Sequence, residues 1–301
     1  MNAKKLFSGL GGGYVLFMVL IYLFQLLLTL PFALLKKEPQ ISVMMLISEV
    51  AMYGCAFPVL YLWLKRFPKW ELKRNHKMPL KDFLLWLLFS YGISYIANLA
   101  SQFLMYAVAA ATGITKTNPV DQMIQTLTPV SLFFYVVIVA PLMEELIFRK
   151  LLIDRMIPYG QKAAVIVSGV AFGLFHGNFF QFFYACILGM IFAYLYTETG
   201  TMWYGVMIHG AINFTGGFLS LILQTEVAAG SIPAMMWMQV FGLFVLMCMF
   251  LAIILISKKI GRITFYPGWA EDSGPGLWKR VLPAPGVILY VIMCVLLFIF
   301  T

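Results

Sequence analysis

The stretch "YVLFMVLIYLFQLLLTLPFALL", residues 14 to 35, carries no charge and is long enough to cross the hydrocarbon core of a bilayer as one helix. Basic residues precede it, as they would in a signal peptide. Its apolar core is too long for a signal peptide, however, and no small-residue cleavage site closes it. We therefore expect it to be retained as the first membrane span.

Similar apolar runs recur along the whole chain. Hydrophobic residues make up 62% of the sequence and charged residues only 11%, whereas a soluble domain has roughly a quarter of its residues charged. This excludes an ordinary water-soluble domain. The sequence predicts an all-α, polytopic transmembrane helix bundle of about eight or nine spans, forming a single integral-membrane domain over 1–301. The expected spans are roughly 12–35, 41–64, 82–111, 130–157, 161–178, 179–197, 201–224, 235–257 and 283–300.

The net charge of +9 reflects membrane topology rather than nucleic-acid binding. Lysine and arginine gather in short connections, most densely between the second and third spans, and such connections usually face the cytoplasm. We therefore expect this loop and the N-terminus to be cytoplasmic, with "TGITKTNPVDQ" and "QTEVAAGSIPA" on the outer side. The basic residues of the loop are Lys65, Arg66, Lys69, Lys73, Arg74, Lys77 and Lys81. Membrane lipids are accordingly expected partners, and nucleic acid is not.

A few ionisable and polar residues interrupt the apolar spans, where each costs a few kcal/mol. The stretch "PLMEELIFRK", residues 141 to 150, contains Glu144, Glu145 and Arg149, and later spans contain His176 and then His209 with Asn213. A rise of about 1.5 Å per residue places Glu144, the two histidines and Asn213 roughly 14 to 24 Å from the expected cytoplasmic turns. Their similar depth favours a single site.

Helical spacing assigns these residues different faces. Glu145 and Arg149 are four residues apart and can pair, whereas Glu144 is turned by about 100° towards another partner. Each residue also has a structural interpretation without catalysis: the ion pair can be purely structural, a buried histidine is often a packing residue, and Asn213 can join helices. The glycines at 169, 173 and 177 are most simply a close helix contact.

Three motifs resemble those of one protease family. The segments "EELIFR" at 144–149, "FGLFH" at 172–176 and "HGAIN" at 209–213 resemble EExxxR, FxxxH and HxxxN, in the order found in the CPBP family of intramembrane proteases, also called the Abi or CAAX prenyl protease type. The resemblance covers roughly 130–215 and implies that this region is the catalytic core. It further implies that Glu144 activates water with help from His176, and that His209 and Asn213 stabilise the oxyanion. Glu145, Arg149 and Phe172 would support the site.

The resemblance leaves the cofactor open. Glu144, His176 and His209 form a set that could bind a catalytic zinc ion, because two histidines and a glutamate are a common zinc shell. A metal-free, glutamate-based mechanism is the alternative, and the absence of an HExxH helix favours it.

The leading hypothesis is therefore an intramembrane endopeptidase that acts on a membrane-associated protein or peptide, through CAAX-type or leader and precursor processing. We expect it in a bacterial plasma membrane. The alternatives are a non-catalytic membrane scaffold or immunity-type protein, and a small-solute or proton transporter. No paired broken helices or inverted repeat favours the transporter.

Overall fold

The computed structural model describes residues 1–72, 77–113, 115–118, 128–259 and 263–300. Within these ranges the chain is helical and contains no strand, which confirms the predicted all-α fold. The basic-loop residues Lys73 and Arg74 and the nearby His76 lie outside the described residues, as does part of the connection from 112 to 122.

Ten helices, named α1 to α10 in chain order, make up the described part of the bundle. Their bounds are α1 Ala3–Leu34, α2 Ile41–Leu64, α3 Leu80–Thr112, α4 Pro129–Tyr159, α5 Gln161–Phe175, α6 Phe179–Thr199, α7 Trp203–Ala228, α8 Ile232–Lys259, α9 Leu277–Val281 and α10 Pro285–Phe300. By length and composition, seven of them can cross a membrane, and α5 and α10 are shorter apolar helices. This is an integral, multi-pass membrane protein. The first helix begins at Ala3, about nine residues before the expected span.

Long-range hydrogen bonds define the two ends of the bundle. We call the end that carries the connection between α2 and α3 the basic end. There, the Trp70 backbone N–H donates to the Asp154 carbonyl at 2.8 Å and so ties this connection to α4. At the opposite end, the Lys116 ammonium donates to the Phe298 carbonyl at 3.0 Å and joins the segment after α3 to α10. Which end faces the cytoplasm remains the prediction made from the positive charges.

Small residues allow the helices to pack closely, as is usual where lipid supplies no hydrophobic drive between helices. A β-carbon on Gly173 of α5 would lie 2.9 Å from the Phe182 carbonyl oxygen of α6, and one on Gly169 would lie as close to the Cys186 carbonyl oxygen. The predicted glycine contact is therefore confirmed for these two positions. Gly177 instead follows α5 with a φ of +66°, a left-handed conformation that favours glycine.

The helix order places α6 at the centre. Half of its apolar stretch is buried, against α5 on one side and α3 on the other. Helix α8 packs on the outside of α3 and leaves large apolar side chains such as Leu243 and Phe250 about two-thirds exposed, as expected for a lipid-facing surface. Helix α1 packs against both α2 and α10, where the Gly286 N–H donates to the Ser8 hydroxyl at 3.0 Å.

Candidate active site

A cavity of about 840 Å³ opens among helices α2 to α7. It occupies the middle of the bundle and the half that lies away from the basic end. Tyr135 near the start of α4, Asn98 in the later part of α3 and Gln224 near the end of α7 all line it. The cavity is large enough for a peptide segment, since ligand pockets typically measure roughly 300 to 1,000 Å³.

Helix α4 changes its winding around the two glutamates. An α-helical turn, Ala140–Glu145, lies between two π-helical segments, Phe133–Val139 and Leu146–Leu151. Two further π-helical segments occur in the described chain, Val50–Ala56 in α2 and Phe214–Leu219 in α7. All four belong to helices that line the cavity. Such segments are uncommon and often mark functional sites, because they alter the direction of the side chains that follow.

Side chains from other helices satisfy carbonyls that these segments present. The Tyr14 hydroxyl donates to the Ile147 carbonyl at 2.7 Å, the Ser168 hydroxyl to the Phe148 carbonyl at 2.8 Å, and the Asn213 amide to the Val136 carbonyl at 2.9 Å. Inside a membrane, a backbone carbonyl released from the regular helical pattern needs such a donor. These bonds therefore stabilise the irregular winding of α4.

Glu145 and Arg149 form the predicted pair, with Arg149 Nε 2.9 Å from Glu145 Oε2 and no side-chain exposure on either residue. The contact is one of charge, because none of the carboxylate oxygens or guanidinium nitrogens makes a well-aligned hydrogen bond in the described structure. The guanidinium carbon lies 4.6 Å from the ring centre of Phe172 and 5.6 Å from that of Phe192. Aromatic faces thus replace part of the hydration that burial removes.

Glu144 has a different environment from its neighbour. Its side chain is 17% exposed, lines the cavity and faces His209, with 3.7 Å between Glu144 Oε2 and His209 Nε2. The other ring nitrogen of His209, Nδ1, lies 3.4 Å from Glu145 Oε1. His209 therefore stands between the two carboxylates, at distances slightly longer than a hydrogen bond. Its ring also stacks on Phe192 at 5.4 Å, which fixes the ring plane.

His176 follows the last residue of α5 and reaches the cavity from there. Its Nδ1 lies 2.8 Å from the Phe172 carbonyl oxygen, which can only accept. This contact favours a proton on Nδ1 and leaves Nε2 with a lone pair in the neutral ring. The Phe172 ring contacts the His176 ring edge-on, with 4.8 Å between centres, so the spacing of four residues produces a contact as expected.

The structure places five of the seven predicted site residues around one cavity. Those five are Glu144, Phe172, His176, His209 and Asn213. Glu145 and Arg149 lie behind the cavity wall, where they contact His209 and Phe172. The catalytic roles of four of them and the supporting roles of Glu145, Arg149 and Phe172 remain predictions. The structure adds that Asn213 already uses its amide nitrogen to bond α4, leaving the second N–H of that group for a ligand.

The predicted zinc set does not form a ligand shell in this arrangement. Among the described residues, no three histidine, cysteine, aspartate or glutamate side chains come together as a metal site. The two nitrogens of His209 instead face two different carboxylates. The donors therefore do not converge on one point.

One acidic residue of the cavity was missed by the sequence reasoning. Glu49 lies in α2, lines the cavity together with Glu144, and has its Oε2 buried without a hydrogen-bond partner in the described structure. The signal was available, because Glu49 is a carboxylate within the apolar run 41–64 and such residues are rare. It was overlooked because it belongs to none of the three motifs.

Comparison with known proteins agrees with the motifs. Residues 126–215 match the family model described as "Type II CAAX prenyl endopeptidase Rce1-like". This Rce1-like segment is therefore similar to that family. The match confirms the resemblance to the CAAX protease family and covers the segment from the start of α4 into α7, which contains all three motifs.

Two bacterial proteins resemble a longer part of the chain than the Rce1-like segment. The "Putative membrane peptidase YdiL" of Bacillus subtilis (strain 168) is 26% identical over 169 residues, which are 55% of this chain and 68% of that protein. The "UPF0177 protein YxdF" of Lactococcus lactis subsp. lactis (strain IL1403) is 23% identical over 157 residues, 52% of this chain and 82% of that protein. No solved structure matches the chain. The bacterial relatives fit a bacterial source.

Proposed function

We propose that the protein is an intramembrane endopeptidase that hydrolyses a peptide bond of a membrane-associated protein or peptide. The observation that carries this proposal is the position of Glu144, a carboxylate at the wall of a peptide-sized cavity beside His209. The Rce1-like match and the peptidase relative support peptide-bond hydrolysis as the class of reaction.

In the proposed reaction, Glu144 accepts a proton from water as the water oxygen attacks the carbonyl carbon of the scissile bond. The carbonyl oxygen then bears the negative charge of the tetrahedral intermediate. An N–H of His209 and the unused N–H of Asn213 are the candidate donors to this oxygen. Donors held in place around such an oxygen stabilise an oxyanion by a few kcal/mol.

The intermediate collapses when the bond from carbon to nitrogen breaks. The leaving amine takes up the proton that Glu144 accepted, so that water is consumed and one acid and one amine are formed. His176 assists this transfer through Nε2, because its Nδ1 is held by the Phe172 carbonyl. Glu145 and Arg149 orient His209 from behind the wall.

The fold helps to separate the two glutamates. Glu145 is neutralised by Arg149, whereas Glu144 has no lysine or arginine within ion-pair distance in the described structure. Glu145 has no exposed surface and cannot contact a water molecule in the cavity, whereas Glu144 is partly exposed there. Glu144 is therefore the better placed of the two to act as general base.

The test is cleavage by the full-length protein in lipid nanodiscs, with two internally quenched peptide probes. One ends in a farnesylated CAAX sequence, and the other has serine in place of the lipidated cysteine. Glu144→Gln should lower the rate on any cleaved probe by about 10²- to 10⁴-fold, because it removes the base. Its melting temperature should stay close to that of the wild type.

The matched control is Glu226→Gln, which changes an exposed carboxylate of α7 outside the cavity and should leave the rate unchanged. Cleavage that persists at the wild-type rate in both Glu144→Gln and His176→Ala would contradict the proposal. That outcome would favour a scaffold that keeps the polar cluster for stability.

A further inference from the structure

Glu49 has the features of a binding residue rather than a structural one. It lies outside the Rce1-like segment and outside the three motifs, yet it lines the same cavity as Glu144. Its Oε2 is shielded from solvent, and no hydrogen-bond donor reaches it in the described structure. An unpaired carboxylate within a membrane span costs a few kcal/mol, so its retention calls for a partner.

Glu145 shows how this chain treats a structural carboxylate, which it buries completely and pairs with Arg149 at 2.9 Å. Glu49 has no lysine or arginine within ion-pair distance in the part of the chain that the structure describes. The described residues that line the cavity include the acidic side chains Glu49 and Glu144 but neither lysine nor arginine. The described cavity wall therefore offers no lysine or arginine to Glu49, and a cationic group on a molecule that enters the cavity would fill that place.

The rest of the cavity wall also suits a cation. Four tyrosines line it: Tyr53, Tyr95, Tyr135 and Tyr184. Tyr53 belongs to the π-helical segment Val50–Ala56, which begins directly after Glu49 and so brings an aromatic ring and a carboxylate of α2 to one cavity. Aromatic faces attract ammonium and guanidinium groups, and more strongly where water is scarce.

We propose that Glu49 and the tyrosines of the cavity form a subsite for a cationic side chain, lysine or arginine, of the peptide that is cut beside Glu144. The proposal rests on the proposed function, because it names the class of peptide that the same cavity accepts. In this view Glu49 determines specificity, and Glu144 performs the chemistry.

Binding can be measured without cleavage. The full-length Glu144→Gln protein in nanodiscs is titrated with pairs of fluorescent, N-acylated peptides that differ only by lysine or norleucine, with this position moved along the peptide. At one position the lysine peptide should bind at least about 10-fold more tightly, in the range of a desolvated charge pair. Adding Glu49→Gln should abolish this difference, whereas adding Glu226→Gln should preserve it.

Equal affinity for lysine and norleucine peptides at every position would overturn the proposal. A lysine preference that survives Glu49→Gln would overturn it as well, since the cation would then bind elsewhere. A change of Glu49 to lysine gives a second test, because it should shift the preference from lysine to glutamate peptides. Circular dichroism and melting of each variant confirm that it is folded.

Kinetics of the catalytically intact protein separate this proposal from the proposed function. Glu49→Gln should raise KM for the preferred lysine peptide by about 10-fold with little change in kcat, and leave the norleucine peptide unaffected. If Glu144→Gln abolishes cleavage but Glu49→Gln has no such effect, only the subsite is wrong. If Glu144→Gln cleaves normally while the binding preference depends on Glu49, the subsite stands and the enzymatic proposal fails.

Discussion

The two neighbouring glutamates of helix α4 lie on different sides of it and differ in burial and in ion pairing. On the buried side, Glu145 has no exposed surface and pairs with Arg149, whose guanidinium lies over Phe172. On the cavity side, Glu144 is partly exposed, and its Oε2 faces His209 Nε2 at 3.7 Å. Two adjacent residues of one helix therefore differ in kind: Glu145 is a buried, paired carboxylate, and Glu144 is a carboxylate that faces the cavity.

The largest expected effect concerns the buried side. Arg149→Met should destabilise the protein by about 3–5 kcal/mol, because it leaves the Glu145 charge buried without its partner. The double change of Glu145 and Arg149 to methionine should recover part of this loss, since no charge is then stranded. Reversible unfolding in mixed micelles measures both, and Lys162→Met on the exposed surface of α5 is the control.

The account would be contradicted if the double variant lost as much unfolding free energy as Arg149→Met and Glu145→Met lose in sum. Simple additivity would mean that the two side chains do not interact, whatever their separation in the structure.

The next largest loss of stability is expected at Gly205, the residue of α7 that packs against the Glu145 carboxylate. A β-carbon on Gly205 of α7 would lie 2.7 Å from Glu145 Oε2, so Gly205→Ala should cost about 1–3 kcal/mol through overpacking. Gly242→Ala in α8 is the matched control, because nothing lies within 4 Å of its β-carbon, and it should be neutral or slightly stabilising. Thermal melting of both variants in nanodiscs makes the comparison. Equal melting temperatures would show that Glu145 is not confined by α7.

The smallest expected effect concerns the π-helical segment Leu146–Leu151 of α4. Tyr14→Phe removes the hydroxyl that bonds the Ile147 carbonyl and should cost about 1 kcal/mol. Amide hydrogen exchange should rise in 146–151 more than elsewhere in α4. Tyr106→Phe, on an exposed part of α3, provides the control. Unchanged exchange in this segment would mean that the π-helical winding does not depend on Tyr14.

Much of the fold could be predicted from the sequence, because hydrocarbon thickness imposes a length and a composition on each spanning helix. The gathering of Glu144, His176, His209 and Asn213 around one cavity was also predictable, since rise per residue converts sequence position into depth. These inferences use properties of single helices, which are local in sequence.

The remaining features depend on contacts between helices that are distant in sequence. The π-helical segments of α4 depend on donors such as Tyr14 and Ser168 from other helices, so the local sequence of α4 does not predict these segments. The position of His209 between both glutamates depends on how α7 packs against α4. Glu49 is visible in the sequence as a carboxylate within an apolar run, but its place in the same cavity as Glu144 depends on how α2 packs in the bundle.

The contact between α1 and α10 has a consequence for how the protein is made. Ser8 of α1 receives its hydrogen bond from Gly286, 278 positions further along the chain, and a side chain at Gly286 would collide with the backbone of α1. Helix α1 therefore leaves the ribosome long before α10 and cannot complete its packing until α10 has been made. Until then, the surface of α1 around Ser8 and Gly11 lacks the partner that it has in the finished bundle.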